Sequence, residues 1–141
     1  MSNEIQIAQQ ELIEDFEMFE DWMDRYQYLI DMGRRLPDFP EALRTDEYRI
    51  RGCQSQVWFV AKQRDGRLHF DAISDAAIVS GLIALLLRLY SGRKPQDILD
   101  TPPDFVTALQ LESHLSPTRS TGLASMLTAI RRFATNALQA A

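Results

Sequence analysis

The sequence predicts one α+β domain, in which a small antiparallel β-sheet of about three strands packs on one face against N-terminal, central and C-terminal helices. Apolar residues recur at helical spacing near residues 3–35, 76–90 and 117–138. Between the first two segments the pattern changes to the alternation of strands, and strands followed by helices on one face give an α+β layer. A chain of 141 residues fits a single domain, 1–141, with a real core.

The first helical segment, residues 3–35, contains a predicted break or bend near Glu20, and Gly33 suits its end. Residues 36–40 include two prolines and are expected to form an extended connection, because proline cannot continue a helix.

Three strand candidates follow, at residues 48–50, 56–63 and 67–73. Asp65-Gly66 predicts a two-residue hairpin between the last two. The resulting register places four apolar residues on one sheet face: Phe59 opposite Ala72, and Ala61 opposite Phe70.

The rest of the chain is predicted to be helical. Ser74-Asp75 can cap the apolar helix 76–90, and Gly92 ends it. Prolines mark the later helical starts: a short turn from Pro95, a helix from Pro102-Pro103 to about Leu109, and a last helix from Ser116-Pro117 to about Leu138.

Composition predicts a soluble cytoplasmic protein. Hydrophobic residues make up 45% and charged residues 25%, both near the values for globular proteins. The apolar run 81–87 is far shorter than the ~20 residues of a membrane span. The start, Met1-Ser2-Asn3-Glu4, lacks the basic and apolar stretches of a signal peptide.

The net charge of −5 is unevenly distributed. Residues 1–33 hold nine acids and the single base Arg25, whereas residues 34–141 hold eleven acids and fourteen bases. No basic block is present, so nucleic-acid binding is not predicted. The acidic stretch is most simply a solvated helix face, and a docking surface for a partner is the alternative.

Cys53 is the only cysteine, which excludes an intrachain disulfide and a Cys-rich zinc or iron–sulfur site built from this chain alone. It lies between two strand candidates, on a loop where Gly52 permits a tight turn. Arg51 is expected to lower the thiol pKa. The polar residues that follow can hydrogen-bond to the loop or to a visiting group: Gln54, Ser55 and Gln56. These residues leave a reactive thiol and an inert buried cysteine equally open.

The heptapeptide Gly52-Cys53-Gln54-Ser55-Gln56-Val57-Trp58 resembles the signature of the SufE family of sulfur acceptors. Matching segments follow the same order over roughly residues 10–138, among them Tyr28-Leu29-Ile30, Ser74-Asp75-Ala76 and Leu115-Ser116-Pro117-Thr118-Arg119-Ser120. In the segment that ends at Arg119 the family often has Leu-Thr-Pro-Ser-Arg, whereas this chain has Ser116 and Thr118 and so keeps both hydroxyls. The related CsdE proteins usually read Gly-Cys-Glu-Asn-Arg-Val-Trp at the cysteine, so the loop favours the SufE branch.

The resemblance implies a SufE/IscU-like fold and a defined reaction. A pyridoxal-phosphate cysteine desulfurase, SufS-like, would hold sulfur from L-cysteine as a persulfide. Cys53 would accept that sulfur and pass it to an iron–sulfur scaffold complex that is SufBCD-like. No cofactor or metal of the chain's own is implied, and a homodimer stays open.

Two further residues are candidates for contacts with the loop or a partner. Arg119 lies in the first turn of the last helix, where the helix dipole disfavours a cation, so we expect a carboxylate or partner contact; a solvated arginine is the alternative. Asp75 is most simply a helix cap, but its place after the hairpin can also set it beside the Cys53 loop. We expect Cys53 itself to rest in a sheltered, largely apolar niche.

Three other functions stay open as alternatives. A CsdE-like acceptor would serve another desulfurase. An iron–sulfur scaffold normally needs several thiolates, which one cysteine cannot supply. A cysteine hydrolase would need His69 or His114 beside the thiol, and neither position favours this.

Overall fold

The computed structural model describes residues 3–140. Three residues of the predicted domain 1–141 lie outside the described residues: Met1, Ser2 and Ala141. The first two also belong to the N-terminal stretch that was predicted not to be a signal peptide. The α+β class is confirmed. The chain contains, in order, α1 (Glu4–Glu17), α2 (Trp22–Arg34), 3₁₀ turns at Glu41–Leu43 and Asp46–Tyr48, β1 (Val57–Arg64), β2 (Arg67–Ser74), α3 (Ala77–Tyr90), α4 (Pro95–Asp100), α5 (Asp104–Ala108), α6 (Leu111–His114) and α7 (Pro117–Ala140).

The predicted break in the N-terminal segment separates α1 from α2. Asp21 starts α2, because its carboxylate accepts a hydrogen bond from the Asp24 amide at 2.9 Å. Gly33 lies inside the last turn of α2 and not beyond it. Its position is set by packing: a Cβ there would lie 2.7 Å from the Gly81 nitrogen in α3. The two helices therefore cross with their backbones in close approach.

The hairpin forms in the predicted register, with Phe59 opposite Ala72 and Ala61 opposite Phe70. Asp65 and Gly66 take positive φ angles of 54° and 75°, as a two-residue turn matching the twist of the strands requires. The apolar sheet face packs on α3, whose inward side chains are almost fully buried: Leu82, Ile83, Leu85, Leu86 and Leu89. This helix is the centre of the core.

The predicted strand at residues 48–50 is wrong, and the sheet within residues 3–140 has two strands. Asp46–Tyr48 form a 3₁₀ turn instead. Only an isolated bridge between Arg49 and Trp58 and one bond from the Ile50 amide to the Val57 carbonyl, at 2.9 Å, follow the sheet edge. The reason is geometric: the chain leaves one turn and enters the next at Gly52, which leaves too few residues for a ladder.

The predicted cap of α3 is also wrong. Ala76 occupies the N-cap without a side-chain bond to the helix. The Ser74 hydroxyl accepts only from the Ala76 amide, and Asp75 points away from the helix toward the segment before β1. The predicted cap of α7 does form, since the Ser116 hydroxyl accepts from the Arg119 amide at 3.3 Å. No helix among residues 3–140 has the length and apolar character to cross a membrane.

Candidate functional site

Cys53 lies on the loop that leads into β1, where that loop meets α3 and α7. The thiol is half-buried, and its Sγ lies 3.6 Å from the Gly122 carbonyl oxygen of α7, to which the S–H can donate. A Cβ on Gly122 would sit 3.7 Å from Sγ, so the glycine lets the loop lie against the helix. Around the thiol is a small niche with about 20 Å³ of free volume, lined by Gln54, Ser55, Val79, Leu82, Thr118, Arg119, Gly122 and Met126.

Side-chain hydrogen bonds anchor the loop on both sides of the thiol. Gly52 has a φ of 89°, and the Ser125 hydroxyl donates to its carbonyl at 3.3 Å. At the other end, the Gln56 amide donates to the Asp75 carboxylate at 3.2 Å. The loop is thus tied to α7 before the cysteine and to the end of the hairpin after it.

Burial raises the pKa of the Cys53 thiol, the opposite of the direction expected from Arg51. The Arg51 residue is exposed and lines a cleft of about 400 Å³ that Gly52 and Cys53 also line, which we call the outer cleft. Desolvation of the half-buried sulfur is the cause of the shift. At neutral pH the resting group is therefore a neutral thiol, and so a weak nucleophile.

The residues singled out in the sequence surround the thiol. Gln54, Ser55 and Arg119 line its niche. Gly52 shares the outer cleft with Arg51, and Asp75 contacts the loop through Gln56. These placements put all of them at one face, and their roles there stay proposals.

Six site residues were missed among the candidates. Val79 and Leu82 come from α3, and four come from α7: Thr118, Gly122, Ser125 and Met126. They reach Cys53 only through tertiary packing, with about 70 residues of chain between the loop and α7. The one available signal was an isolated glycine inside a helical pattern, which usually has a packing reason.

The histidines do not complete a dyad with Cys53. The His114 ring stacks on Trp22 with centroids 4.0 Å apart, and His69 pairs with Lys62 in the hairpin. Neither ring lines the niche. Within residues 3–140, no group of three His, Cys, Asp or Glu side chains is placed to hold a metal ion.

A half-buried thiol on an anchored loop of a small α+β domain is therefore the candidate functional site of this protein. Residues 10–134 match the SufE family, described as an Fe-S metabolism associated domain. An uncharacterized SufE-like protein of Rhizobium meliloti (strain 1021) is 39% identical over 135 residues, which span 92% of this chain and 96% of the relative.

The chain belongs to the SufE family. The solution structure of a hypothetical protein from Thermus thermophilus has the same fold, with a TM-score of 0.77 and 23% identity over 94% of this chain and 96% of that one. Family membership implies a sulfur-transfer accessory role with a cysteine desulfurase.

Proposed function

We propose that this protein accepts sulfur as a persulfide on Cys53 from a pyridoxal-phosphate cysteine desulfurase, and delivers it for iron–sulfur cluster assembly. The observation that carries the proposal is the position of the single cysteine: a half-buried thiol on a loop anchored at both ends. It fits a group that must be sheltered at rest and then be presented to another protein.

The transfer is the persulfide counterpart of thiol–disulfide exchange. The Cys53 thiol loses its proton, and the thiolate attacks the outer sulfur of the desulfurase persulfide. A new S–S bond forms on Cys53 while the bond within the donor persulfide breaks, and the donor cysteine leaves as a thiolate that can take up a proton. Sulfur moves without a net oxidant or reductant.

Loading requires the loop to move. A half-buried, protonated thiol in this niche is a poor nucleophile toward a persulfide held in another protein, so Sγ must leave the Gly122 carbonyl and become exposed. The bonds at Gly52 and Gln56 that oppose this are each worth only about 1 kcal/mol. Docking to a desulfurase with a Kd of about 1 mM or tighter contributes about 4 kcal/mol or more, which exceeds that sum and can drive the opening.

Return to the niche then protects the cargo. A persulfide is open to oxidants and reductants, and a second nearby thiol would release its sulfur as sulfide and form a disulfide. This chain has no second cysteine. The free volume of about 20 Å³ beside the thiol is about the room that one water molecule needs, so it can take one further small atom after slight adjustment.

The proposal also covers the cellular location, the sulfur donor and the sulfur acceptor. The chain works as one domain in the cytoplasm, without a cofactor of its own. Its donor is SufS-like and its acceptor is a SufBCD-like scaffold complex. The loop residues, together with Arg51, Asp75 and Arg119, contact the donor while Cys53 is loaded.

Cys53→Ser tests the proposal. Intact-mass spectrometry after incubation with L-cysteine and a purified SufS-type desulfurase should find one added sulfur on the wild-type chain and none on the variant. Stimulation of alanine release should vanish, because a serine hydroxyl forms no persulfide. The melting temperature should change little, since the two side chains are nearly the same shape.

An inert packing role gives the opposite pattern. Burying an unpaired hydroxyl would then lower the free energy of unfolding by roughly 1–3 kcal/mol and leave stimulation intact. Full stimulation by a folded Cys53→Ser protein would rule out the proposed chemistry.

A further inference from the structure

The arginines of this chain fall into two groups, those that have an ion-pair or hydrogen-bond partner within the part of the chain that the structure describes and those that have none. Seven arginines form ion pairs with carboxylates or donate hydrogen bonds to backbone carbonyls: Arg25, Arg34, Arg35, Arg67, Arg88, Arg93 and Arg131. Within residues 3–140, the guanidinium groups of the other six, Arg44, Arg49, Arg51, Arg64, Arg119 and Arg132, do neither. Three of these six line a common cleft: Arg49, Arg51 and Arg132. All three side chains belong to exposed residues.

These three arginines converge from two separate parts of the fold. Arg49 and Arg51 lie just before Cys53, and Arg132 lies on α7, yet all three line one cleft of about 450 Å³. The cleft adjoins the cavity of about 400 Å³ that reaches Cys53, and the two share Arg49 and Arg51. We call the two together the arginine cleft.

The arginine cleft is positively charged in an otherwise acidic protein. Its lining includes the carboxylates of Asp46 and Glu47, which offset part of the charge of the three guanidinium groups. Neither carboxylate is within ion-pair distance of an arginine in the described part of the chain. Each guanidinium therefore keeps its planar set of N–H donors, a geometry that suits carboxylate oxygens.

We propose that the arginine cleft docks an acidic surface of the desulfurase that loads Cys53, an inference that rests on the proposed function. The donor cysteine must come within bonding distance of Sγ, so the donor surface must also cover the adjoining cleft. Carboxylates on that surface would pair with arginines that the chain itself leaves without partners. The acidic partner surface is thereby placed at Arg49, Arg51 and Arg132, outside the niche that Arg119 lines.

The test compares two triple substitutions with the same change in charge. One variant carries Arg49→Glu, Arg51→Glu and Arg132→Glu. Its control carries Lys62→Glu, Arg64→Glu and Lys94→Glu, three exposed cations near the far end of the hairpin. Thermal unfolding verifies that each protein folds, and a variant with glutamine at positions 49, 51 and 132 serves if the glutamates prevent folding.

Affinity for a purified SufS-type desulfurase from the same organism is measured by calorimetry at low and at moderate salt. We expect the cleft variant to bind at least about tenfold more weakly at low salt, and the control to stay within about twofold of wild type. The affinity of the wild type should fall with added salt, and that of the cleft variant should fall less.

Three results would overturn the inference. The first is a cleft variant that binds as tightly as wild type, and the second is an equal weakening in the two triple variants. The third is a loss that occurs only in self-association, which would assign the cleft to a second copy of this chain. A different result bears on the proposed function: binding that depends on the cleft, without any sulfur gained by wild-type Cys53, would support the docking surface and contradict the persulfide role.

Discussion

Two contacts in this molecule use glycine to bring chain segments close together, and they have different strengths. Where α2 crosses α3, a Cβ on Gly81 would overlap the backbone carbonyl of Leu29, which is itself fully buried. Where the cysteine loop meets α7, a Cβ on Gly52 would lie 2.5 Å from the Ser125 hydroxyl, a group at the end of a movable side chain. The first contact joins backbone to backbone in the core, and the second joins backbone to side chain at the surface.

The difference separates stability from function. The helix crossing cannot yield without moving two elements of the core, whereas the loop contact yields when one hydroxyl rotates. A persulfide carrier needs both properties: a scaffold that keeps its shape, and a loop held by contacts weak enough to release. Substitutions at the two glycines should therefore have unequal effects.

Gly81→Ala should cause the largest loss of stability. The new methyl group must displace the backbone of Leu29, so we expect the free energy of unfolding to fall by about 3 kcal/mol. Urea denaturation measures this. Gly66→Ala is the control, because a Cβ there meets nothing within 4 Å. Its positive φ of 75° alone should lower the free energy of unfolding, by about 1 kcal/mol. If both variants lose the same free energy of unfolding, the α2–α3 crossing accommodates a methyl group as easily as an exposed turn does, which would contradict the close backbone contact.

Gly52→Ala should cost less, about 2 kcal/mol, from its φ of 89° and the contact with Ser125. Because the loop is displaced, a bulky thiol reagent should label Cys53 several-fold faster. Adding Ser125→Ala should recover part of the stability by removing the close contact. Labelling should stay fast in the double variant, because the bond to the Gly52 carbonyl is also gone. Unchanged labelling in both variants would show that this contact does not hold the thiol.

The smallest expected effect is on the pH dependence of Cys53 labelling, which tests how well the cysteine loop shelters the thiol. Burial disfavours the thiolate, so the pKa of Cys53 lies above its ordinary value of 9.0 in the folded protein. The labelling rate should reach its half-maximum at higher pH in the folded protein than in urea. The associated stability is fully present below the ordinary pKa and is lost as pH rises through the folded one. Coincident midpoints would contradict burial of the resting thiol.

The parts of the fold that were predicted from the sequence are those that local chemistry decides. Asp65-Gly66 and the alternation on either side determine both the hairpin and its register. The strand at residues 48–50 failed because strand formation there depends on how the chain enters and leaves the sheet edge. Asp75 failed as a cap because the Gln56 amide, nineteen positions away in sequence, binds its carboxylate.

For the site, the sequence predicted the loop but not its surroundings. Cys53 and its neighbours form one continuous motif, and so they were identified together. Gly122 and Ser125 contact this motif only after α7 has packed, and no local pattern encodes that contact. The predicted direction of the thiol pKa was wrong for the same reason. Arg51 can be read from the sequence, but the burial that raises the pKa of Cys53 arises only when the chain packs.

The bridge between Arg49 and Trp58 gives the molecule an optical reporter. The Trp58 backbone pairs with Arg49 in the segment that precedes Cys53, and the Arg44 guanidinium lies 5.8 Å from the centroid of the Trp58 ring. The chain's other tryptophan, Trp22, lies stacked on His114. In a Trp22→Phe background, all indole emission therefore comes from the edge of the cysteine loop. Stopped-flow fluorescence can then time the opening of the loop in an unlabelled protein whose thiol stays free to react.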